Sequence, residues 1–391
     1  MREVRIRGAA MTAFGKHVDR SARELVEEAV AAALGDAELT AHDVQAVYVG
    51  NAVAGAIGGQ ESMRGQVVLR RTGLMGVPIV NVENADASGS TALHLAWQAV
   101  AHGACDCAIA LGYEKFDHQD RARSVRAINA SMDLSELSDI FGPHGNQERS
   151  VLLDLLGAMS WGDGRARFDV EPLALVSVKN HYHASLNPCA HYRQTLTVDQ
   201  VKAARPIAGP LTRLMCAPLS DGAACVVLCP PDFRRGRRGG ARIAASVLRS
   251  GRGDDLRGPM TLRAAARSAY ETAGLGPEDI DVAEVHDVTS MAELYVCAEL
   301  GFCAPEDAAR LATERTTWLG GRLPVNTSGG LIARGHPLGA TGIAQVVELA
   351  WQLEDRCGQR QVASARAALA DNIGGWIGSD IGAGVIHILT R

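Results

Sequence analysis

A layered α/β protein built from two similar halves is the fold class that this chain of 391 residues predicts. Three observations carry it. β-Branched runs alternate with apolar, helix-length stretches in both halves, as in strands and helices packed in layers. The order of elements repeats on either side of a Pro-, Gly- and Arg-rich linker at 230–240. Two phrases also recur: Asp43-Val-Gln-Ala-Val-Tyr-Val-Gly50 resembles Asp279-Ile-Asp-Val-Ala-Glu-Val-His286, and Leu95-Ala-Trp-Gln98 is identical to Leu349-Ala-Trp-Gln352.

The elements follow in order. Residues 2–12 alternate and read as a strand. Ser21 can cap a helix over 22–34, because Glu24 completes a capping box and Leu25, Ala29, Ala32 and Ala33 share a face. A strand is expected at 44–49 and a helix at 61–73. Ile79, Val80 and Val82 make a short strand that breaks at Asn84-Ala-Asp-Ala-Ser-Gly-Ser90 into an apolar helix to about His102. Such an elbow places one side chain, Asp86, where free backbone N–H groups and the positive end of a helix dipole converge. A strand at 107–111 follows. From 116 to 168 the periodicity loosens. Helices at 171–185 and 197–203 and a strand at 221–229 complete the first half. The second half has a strand at 241–247, a helix at 262–273, a strand at 280–285 and a helix at 293–300. A Gly-rich turn at 326–342 leads into a helix to about Leu353, and strands at 365–370 and 385–389 close the chain. The two halves are set at 1–235 and 241–391, with a loop or insertion region at 116–210 lying over the site.

Composition narrows the function. The net charge of −5 is mild and unsegregated, which argues against a nucleic-acid or membrane-surface partner. The nine cysteines include no CxxC pair, so neither a disulfide framework nor a structural zinc site is expected, and no metal is assigned. Cys297 reads as core, and Cys189, in Asn-Pro-Cys-Ala-His, is the cysteine to consider as a displaced nucleophile. No apolar run is long enough to cross a membrane, and the N-terminus has no apolar signal core. A reducing, cytoplasmic setting is expected.

Three clusters in the second half concentrate polar side chains among glycines: Val285-His286-Asp287-Val288-Thr289, Asn326-Thr-Ser-Gly-Gly-Leu-Ile-Ala-Arg-Gly-His336-Pro-Leu-Gly-Ala-Thr-Gly342, and Asp371-Asn372-Ile-Gly-Gly-Trp-Ile-Gly378. Glycines there let a ligand approach the backbone and leave N–H groups free as donors. In the 116–168 stretch, Met132, Phe141, Met159 and Trp161 either line an acyl pocket or pack into a core or interface. Glu83 and Asn84 read as residues that fix the elbow's turn.

Gly-His-Pro-Leu-Gly-Ala-Thr-Gly after Asn-x-Ser-Gly-Gly resembles the signature of the thiolase superfamily. Asn-x-Asp-Ala-Ser-Gly-Ser-x-Ala-Leu resembles its nucleophile loop, and Val-His-Asp resembles the sterol-carrier-protein-type branch. The resemblance implies the thiolase fold: two duplicated βαβαβαββ halves forming a five-layered αβαβα core, usually as a homodimer. It implies a CoA or carrier-protein thioester as substrate, with no covalently bound cofactor, and a possible small OB-fold, zinc-ribbon protein partner. Position by position, Asp86 stands where the family's acyl-accepting cysteine stands. His336 and His286 match the histidines that activate the nucleophile and hold the thioester oxygen. Val288 and Asn372 replace the positions of the remaining catalytic sulfurs. Ser88, Gly89, Asn326, Asn372, Gly374 and Gly375 are the candidate substrate- and oxyanion-binding residues.

A carboxylate is a poor acyl acceptor, because an acyl-aspartyl anhydride hydrolyses readily. Two histidines and a carboxylate can instead stabilise an enolate, so aldol-type C–C bond formation or cleavage on a thioester is the leading expectation. Direct acyl transfer to an amine or alcohol, and a non-catalytic thioester-binding or scaffold subunit, are the alternatives.

Overall fold

The computed structural model describes residues 1–135, 168–252, 261–378 and 380–391. The first half contributes β1 (Arg5–Met11), α1 (Ala22–Asp36), β2 (Ala46–Gly50), α2 (Ala54–Gly58), α3 (Arg64–Leu69), β3 (Ile79–Val82), α4 (Ser88–Ala101), β4 (Ala108–Glu114) and α5 (Arg121–Asn129). It continues through α6 (Val170–Ser185), α7 (Val198–Lys202), the small strands β5 (Pro206–Ala208) and β6 (Leu211–Thr212), and β7 (Gly222–Cys229). The second half supplies β8 (Arg242–Ser250), α8 (Thr261–Ala273), β9 (Val282–Glu284), α9 (Ser290–Glu299), α10 (Ala308–Thr313), α11 (Gly330–Arg334), α12 (Leu338–Leu353), β10 (Ala367–Ile377) and β11 (Asp380–Thr390).

Nine strands form one mixed sheet in the order β3-β2-β4-β7-β1-β8-β11-β10-β9. β2 runs parallel to β3 and β4, and β9 parallel to β10, while the middle strands pair antiparallel. The halves meet between β1 and β8, which share a single pairing, Arg5 with Arg242. That thin join lets each half of the sheet turn one face toward shared central helices.

Those helices are α4 and α12, the two that carry Leu-Ala-Trp-Gln. They pack on one another and on strands of both halves. Leu93, Ala96 and Val100 of α4 and Ile343, Val347 and Ala350 of α12 join one buried cluster with Ile6, Val226 and Ala368 from the sheet. α1 covers the outer face of the first half through Leu25, Val26, Ala29 and Ala33, and α8 covers the second through Leu262, Ala265 and Ala269. The layers are therefore helix, sheet, paired helices, sheet, helix: the mixed α/β thiolase architecture expected.

Several elements match their sequence signals closely. Ser21 Oγ accepts from Glu24 N at 3.3 Å, and Glu24 Oε2 accepts from Ser21 N at 2.7 Å, closing the capping box of α1. Other elements differ. The helix expected at 61–73 is shorter, α3 alone, and the separate short helix α2 precedes it: Gly59, at φ +75°, ends α2, and α3 begins only after Met63, at φ +56°. The loosened stretch contains the helix α5, capped by Asp120 accepting from Arg123 N. Phe141, Met159 and Trp161 lie outside the described residues. The closing strands are longer than 365–370 and 385–389, so Asn372, Gly374 and Gly375 lie within strand β10. Among the described residues, no helix is long and apolar enough to cross a membrane.

Candidate active site

The turn before α4 is held shut by its own side chains. Ala85 adopts φ +48°, a left-handed conformation that costs a residue with a Cβ. Glu83 Oε1 accepts from Ala85 N at 2.8 Å, Ser88 Oγ accepts from Asn84 N at 2.9 Å, and Ser88 Oγ donates to Ala85 O at 2.6 Å. This bracing presents Asp86 at the N-terminal end of α4, where it is 5% exposed.

The second histidine arrives by the same device. His336 lies between α11 and the start of α12, with its backbone N–H donating to Ser220 Oγ at 3.2 Å. Glu114, at the end of β4, fastens that start: its carboxylate accepts from Gly339 N at 3.1 Å and also from Ala52 N, Val53 N and Asn51 Nδ2. Burial, only partly offset by these N–H donors, pushes the Glu114 carboxyl up to about 7. His286 leaves the end of β9, its backbone N–H donating to Asp371 Oδ2 at 3.1 Å.

Three side chains from distant segments then converge. His336 Nε2 lies 3.6 Å from Asp86 Oδ1. The His286 and His336 rings stand nearly perpendicular, at 86°, with centroids 5.3 Å apart. One ligand atom from each of Asp86, His286 and His336 lies within 4.8 Å of the others, and all three residues are buried.

Hydrogen bonds fix how the rings face. Thr341 Oγ1 donates to Pro337 O at 3.0 Å, so at 2.7 Å it must accept from His336 Nδ1–H. His336 Nε2 is left facing the carboxylate. Asn372 Nδ2 lies 3.0 Å from His286 Nδ1. With the amide donating, the His286 proton sits on Nε2, toward the cluster. Burial first, then the neighbouring His336, bring the His286 pKa down to about 3, so this ring is neutral. For Asp86, burial works upward, but His336, then His286 and the Gly375 N–H, outweigh it and hold the carboxyl below its ordinary range.

Above Asp86 and His336 opens a cavity of about 310 Å³. Val125, Ile128, Val288 and Leu338 line it with apolar surface, and Lys16, Arg121, Arg205 and Arg213 bring positive charge to it. The basic residues come from three separate segments, Arg205 and Arg213 flanking the β5–β6 hairpin, and nothing in their local sequence marks them. Cys216 lines the cavity as well, but burial pushes its thiol up to about 12 and its Sγ lies 3.5 Å from Thr212 O.

The other sequence candidates divide clearly. Asn372 bonds His286, and Gly375 donates to Asp86. Gly374 sits where a Cβ would lie 2.3 Å from Asn84 O, so it lets β10 approach the elbow. Ser88 closes the turn. Gly89 faces Gly339 O, which a Cβ would meet at 2.3 Å, and so belongs to the crossing of α4 with α12. Asn326 braces the segment before His286, accepting from Val285 N at 2.9 Å and donating to Glu293 Oε2 at 2.8 Å. Asp287 accepts from Leu331 N and Asn180 Nδ2, orienting backbone rather than facing the cavity. Cys297 is buried in the core of the second half. Cys189 packs against the central cluster, and burial raises its thiol pKa. Met132 is buried and bridges to Trp376.

Comparison with known proteins agrees with this architecture. The family model described as the thiolase N-terminal domain matches residues 4–153, and the thiolase C-terminal domain-like model matches residues 247–390. The chain is 38% identical to an acetyl-CoA acetyltransferase of Methanothermobacter thermautotrophicus, over the whole of both chains. It is 34% identical to sterol carrier protein 2 of Homo sapiens over 96% of this chain and 70% of that protein. Among solved structures, the Ltp2-ChsH2(DUF35) aldolase superposes with a TM-score of 0.81 at 23% identity, covering 100% of this chain and 98% of that one. Human mitochondrial 3-ketoacyl-CoA thiolase in complex with CoA superposes with a TM-score of 0.71 at 18% identity, with the same coverage. The paired elbow helices, the two converging histidines and both matched domain models agree: this chain belongs to the thiolase family.

Proposed function

We propose that the protein cleaves or forms a C–C bond in a CoA thioester by aldol chemistry, without an acyl-enzyme. The observation that carries this reading is the buried Asp86 carboxylate, 3.6 Å from His336 Nε2, at the elbow that resembles the family's nucleophile loop. Relatives named for acetyl-CoA acetyl transfer support a CoA thioester. Lys16, Arg121, Arg205 and Arg213 around the cavity suit its phosphates.

In the cleavage direction a β-hydroxyacyl thioester lies with its carbonyl oxygen at His286 Nε2–H. The Asp86–His336 pair accepts the β-hydroxyl proton. The electron pair of that O–H bond forms the new C=O, the Cα–Cβ bond breaks, and its electrons become the thioester enolate. His286 N–H stabilises the enolate oxygen, and the proton held by Asp86–His336 returns to Cα. The products are an aldehyde or ketone and a shortened acyl-CoA. One oxyanion donor is worth ~10²–10³ in rate and a positioned base ~10²–10⁴. The low pKa of His286 suits a neutral N–H donor that does not surrender its proton.

The test incubates the protein with β-hydroxyacyl-CoA and follows carbonyl release by hydrazine trapping and the shortened acyl-CoA by mass spectrometry. Both products are expected, and His336→Ala should abolish them. An unchanged rate in His336→Ala would sink the reading. Acyl transfer to an added amine, with no carbonyl product, would replace it with direct acyl transfer.

A further inference from the structure

We infer that Asp86, His286 and His336 also form a site for a divalent transition-metal ion of the zinc type, and that the ion and the catalytic proton compete for it. Metal binding depends on these three donor atoms alone, and it stands whether or not the aldol reading does.

The spacing comes first. At 3.6 Å, His336 Nε2 and Asp86 Oδ1 are farther apart than a good hydrogen bond. Two ligands on one tetrahedral ion with bonds of about 2.1 Å lie roughly 3.4 Å apart. The observed gap is thus close to a ligand–ligand edge. All three donor atoms fall within 4.8 Å, so small side-chain rotations of the order of 1 Å would complete the set.

The second point is the direction of the lone pairs. His336 Nδ1–H is committed to Thr341 Oγ1, so Nε2 turns its lone pair toward a carboxylate oxygen. Two acceptors facing each other in a buried site attract a cation between them, either a proton taken from substrate or a metal ion. The Gly375 N–H on Asp86 and Thr341 on His336 are the supporting contacts that orient metal ligands elsewhere.

The third point is an unpartnered atom. Asn372 is 1% exposed, and its Oδ1 has no hydrogen-bond partner. Turning the amide over lets Oδ1 accept from His286 Nδ1–H, which frees the Nε2 lone pair for a metal. As oriented, the amide leaves Nε2 protonated as the enolate donor. The site therefore has two states that differ by one amide rotation: metal-free and catalytic, or metal-loaded and silent. Two histidines and a carboxylate with an open fourth position suit zinc, and the cavity supplies that position. When Zn²⁺ binds, it takes the Asp86 and His336 lone pairs that would otherwise accept the β-hydroxyl proton, and the base pair is withdrawn from the reaction.

The experiment titrates chelator-stripped, full-length protein with Zn²⁺ by calorimetry and with Co²⁺ by visible absorption, both without substrate. One equivalent of Zn²⁺ should bind with micromolar or tighter affinity, and Co²⁺ should develop d–d bands to the same stoichiometry. Asp86→Asn and His286→Gln, each checked for native circular dichroism, should weaken Zn²⁺ by ~100-fold or more. The Co²⁺ spectrum of the parent protein stands even where a variant fails to fold. Absence of one-to-one binding, or parental affinity in both variants, overturns the site. One bound Zn²⁺ with undiminished carbonyl release overturns the competition. A metal-free protein that releases no carbonyl product refutes the aldol reading and leaves the metal site to be judged by the binding data.

Discussion

Replacing Asp86 with cysteine tests whether the elbow is still built for an acyl acceptor. A free thiol of pKa about 8.5 is only about 3% ionised at pH 7. At a helix N-terminus beside a histidine, thiols fall to about 3.5–7.5. A value near 7 would raise the thiolate fraction about 15-fold, to one half. At position 86 the helix is α4, the histidine is His336, and the Gly375 N–H that now bonds the carboxylate would meet the sulfur. The native cysteines are internal controls: burial holds Cys216 near 12 and Cys303 near 11, far from ionised. Asp86→Cys should therefore take one acetyl group from acetyl-CoA, seen by intact-mass spectrometry and mapped to position 86, while the parent takes none. The thiolate attacks the thioester carbonyl, the CoA thiolate leaves, and His336 holds the displaced proton. The adduct should accumulate, because Val288 lines the cavity and offers no acid or base for onward transfer. A folded variant that stays unacylated refutes the elbow reasoning. So does an equal adduct on the parent.

Other expectations follow from the same geometry. His286→Gln should lower kcat for carbonyl release by ~10²–10³ with little change in KM, since it removes a donor used mainly in the transition state. Steady-state kinetics checks this. Asp371, held up to about 7 by burial with the His286 N–H opposing, has a folded pKa above its unfolded value. Its stabilising contribution is present below about pH 4 and is lost as pH rises toward 7, a loss on the order of a few kcal/mol. The Tm of the parent should fall more steeply over that window than the Tm of Asp371→Asn; parallel curves would refute it. Gly89→Ala should cost about 1–3 kcal/mol in denaturant unfolding, because its Cβ would lie 2.3 Å from Gly339 O.

Local signals in the sequence were legible where local chemistry decides the structure. The Ser21–Glu24 capping box, the strand-to-helix elbow and the helix repeat carrying Leu-Ala-Trp-Gln depend on neighbours a few residues apart. Asp86, His336 and His286 were legible because glycine and proline frame them or a strand ends at them. Tertiary contacts hid the rest. Gly374 and Gly375 look like a turn, yet they lie within β10, where they let the strand pass close to Asn84 O and Ser131 O. Gly89, a candidate binding residue by resemblance, lies where helix packing leaves no room for a Cβ. Asn326, a candidate binding residue by resemblance, braces its surroundings through Val285 N and Glu293. The basic cavity residues are brought together by three segments whose local composition is unremarkable for a protein surface.

The site is a product of the duplication itself. Asp86 comes from the elbow of the first half and His336 from the matching position of the second, and they meet because α4 and α12 cross closely. The closeness of α12 to α4 and to β4 rests on atoms that are missing: a Cβ on Gly89 of α4 would lie 2.3 Å and one on Gly112 of β4 2.1 Å from Gly339 O, and one on Gly339 would lie 2.6 Å from Tyr113 O of β4. Widening that crossing would lengthen the 3.6 Å Asp86–His336 separation directly. The glycines therefore set the chemistry as firmly as the charged groups do. Exchanging the nucleophile position alters what the pair can hold, whereas filling the crossing would remove the pair altogether.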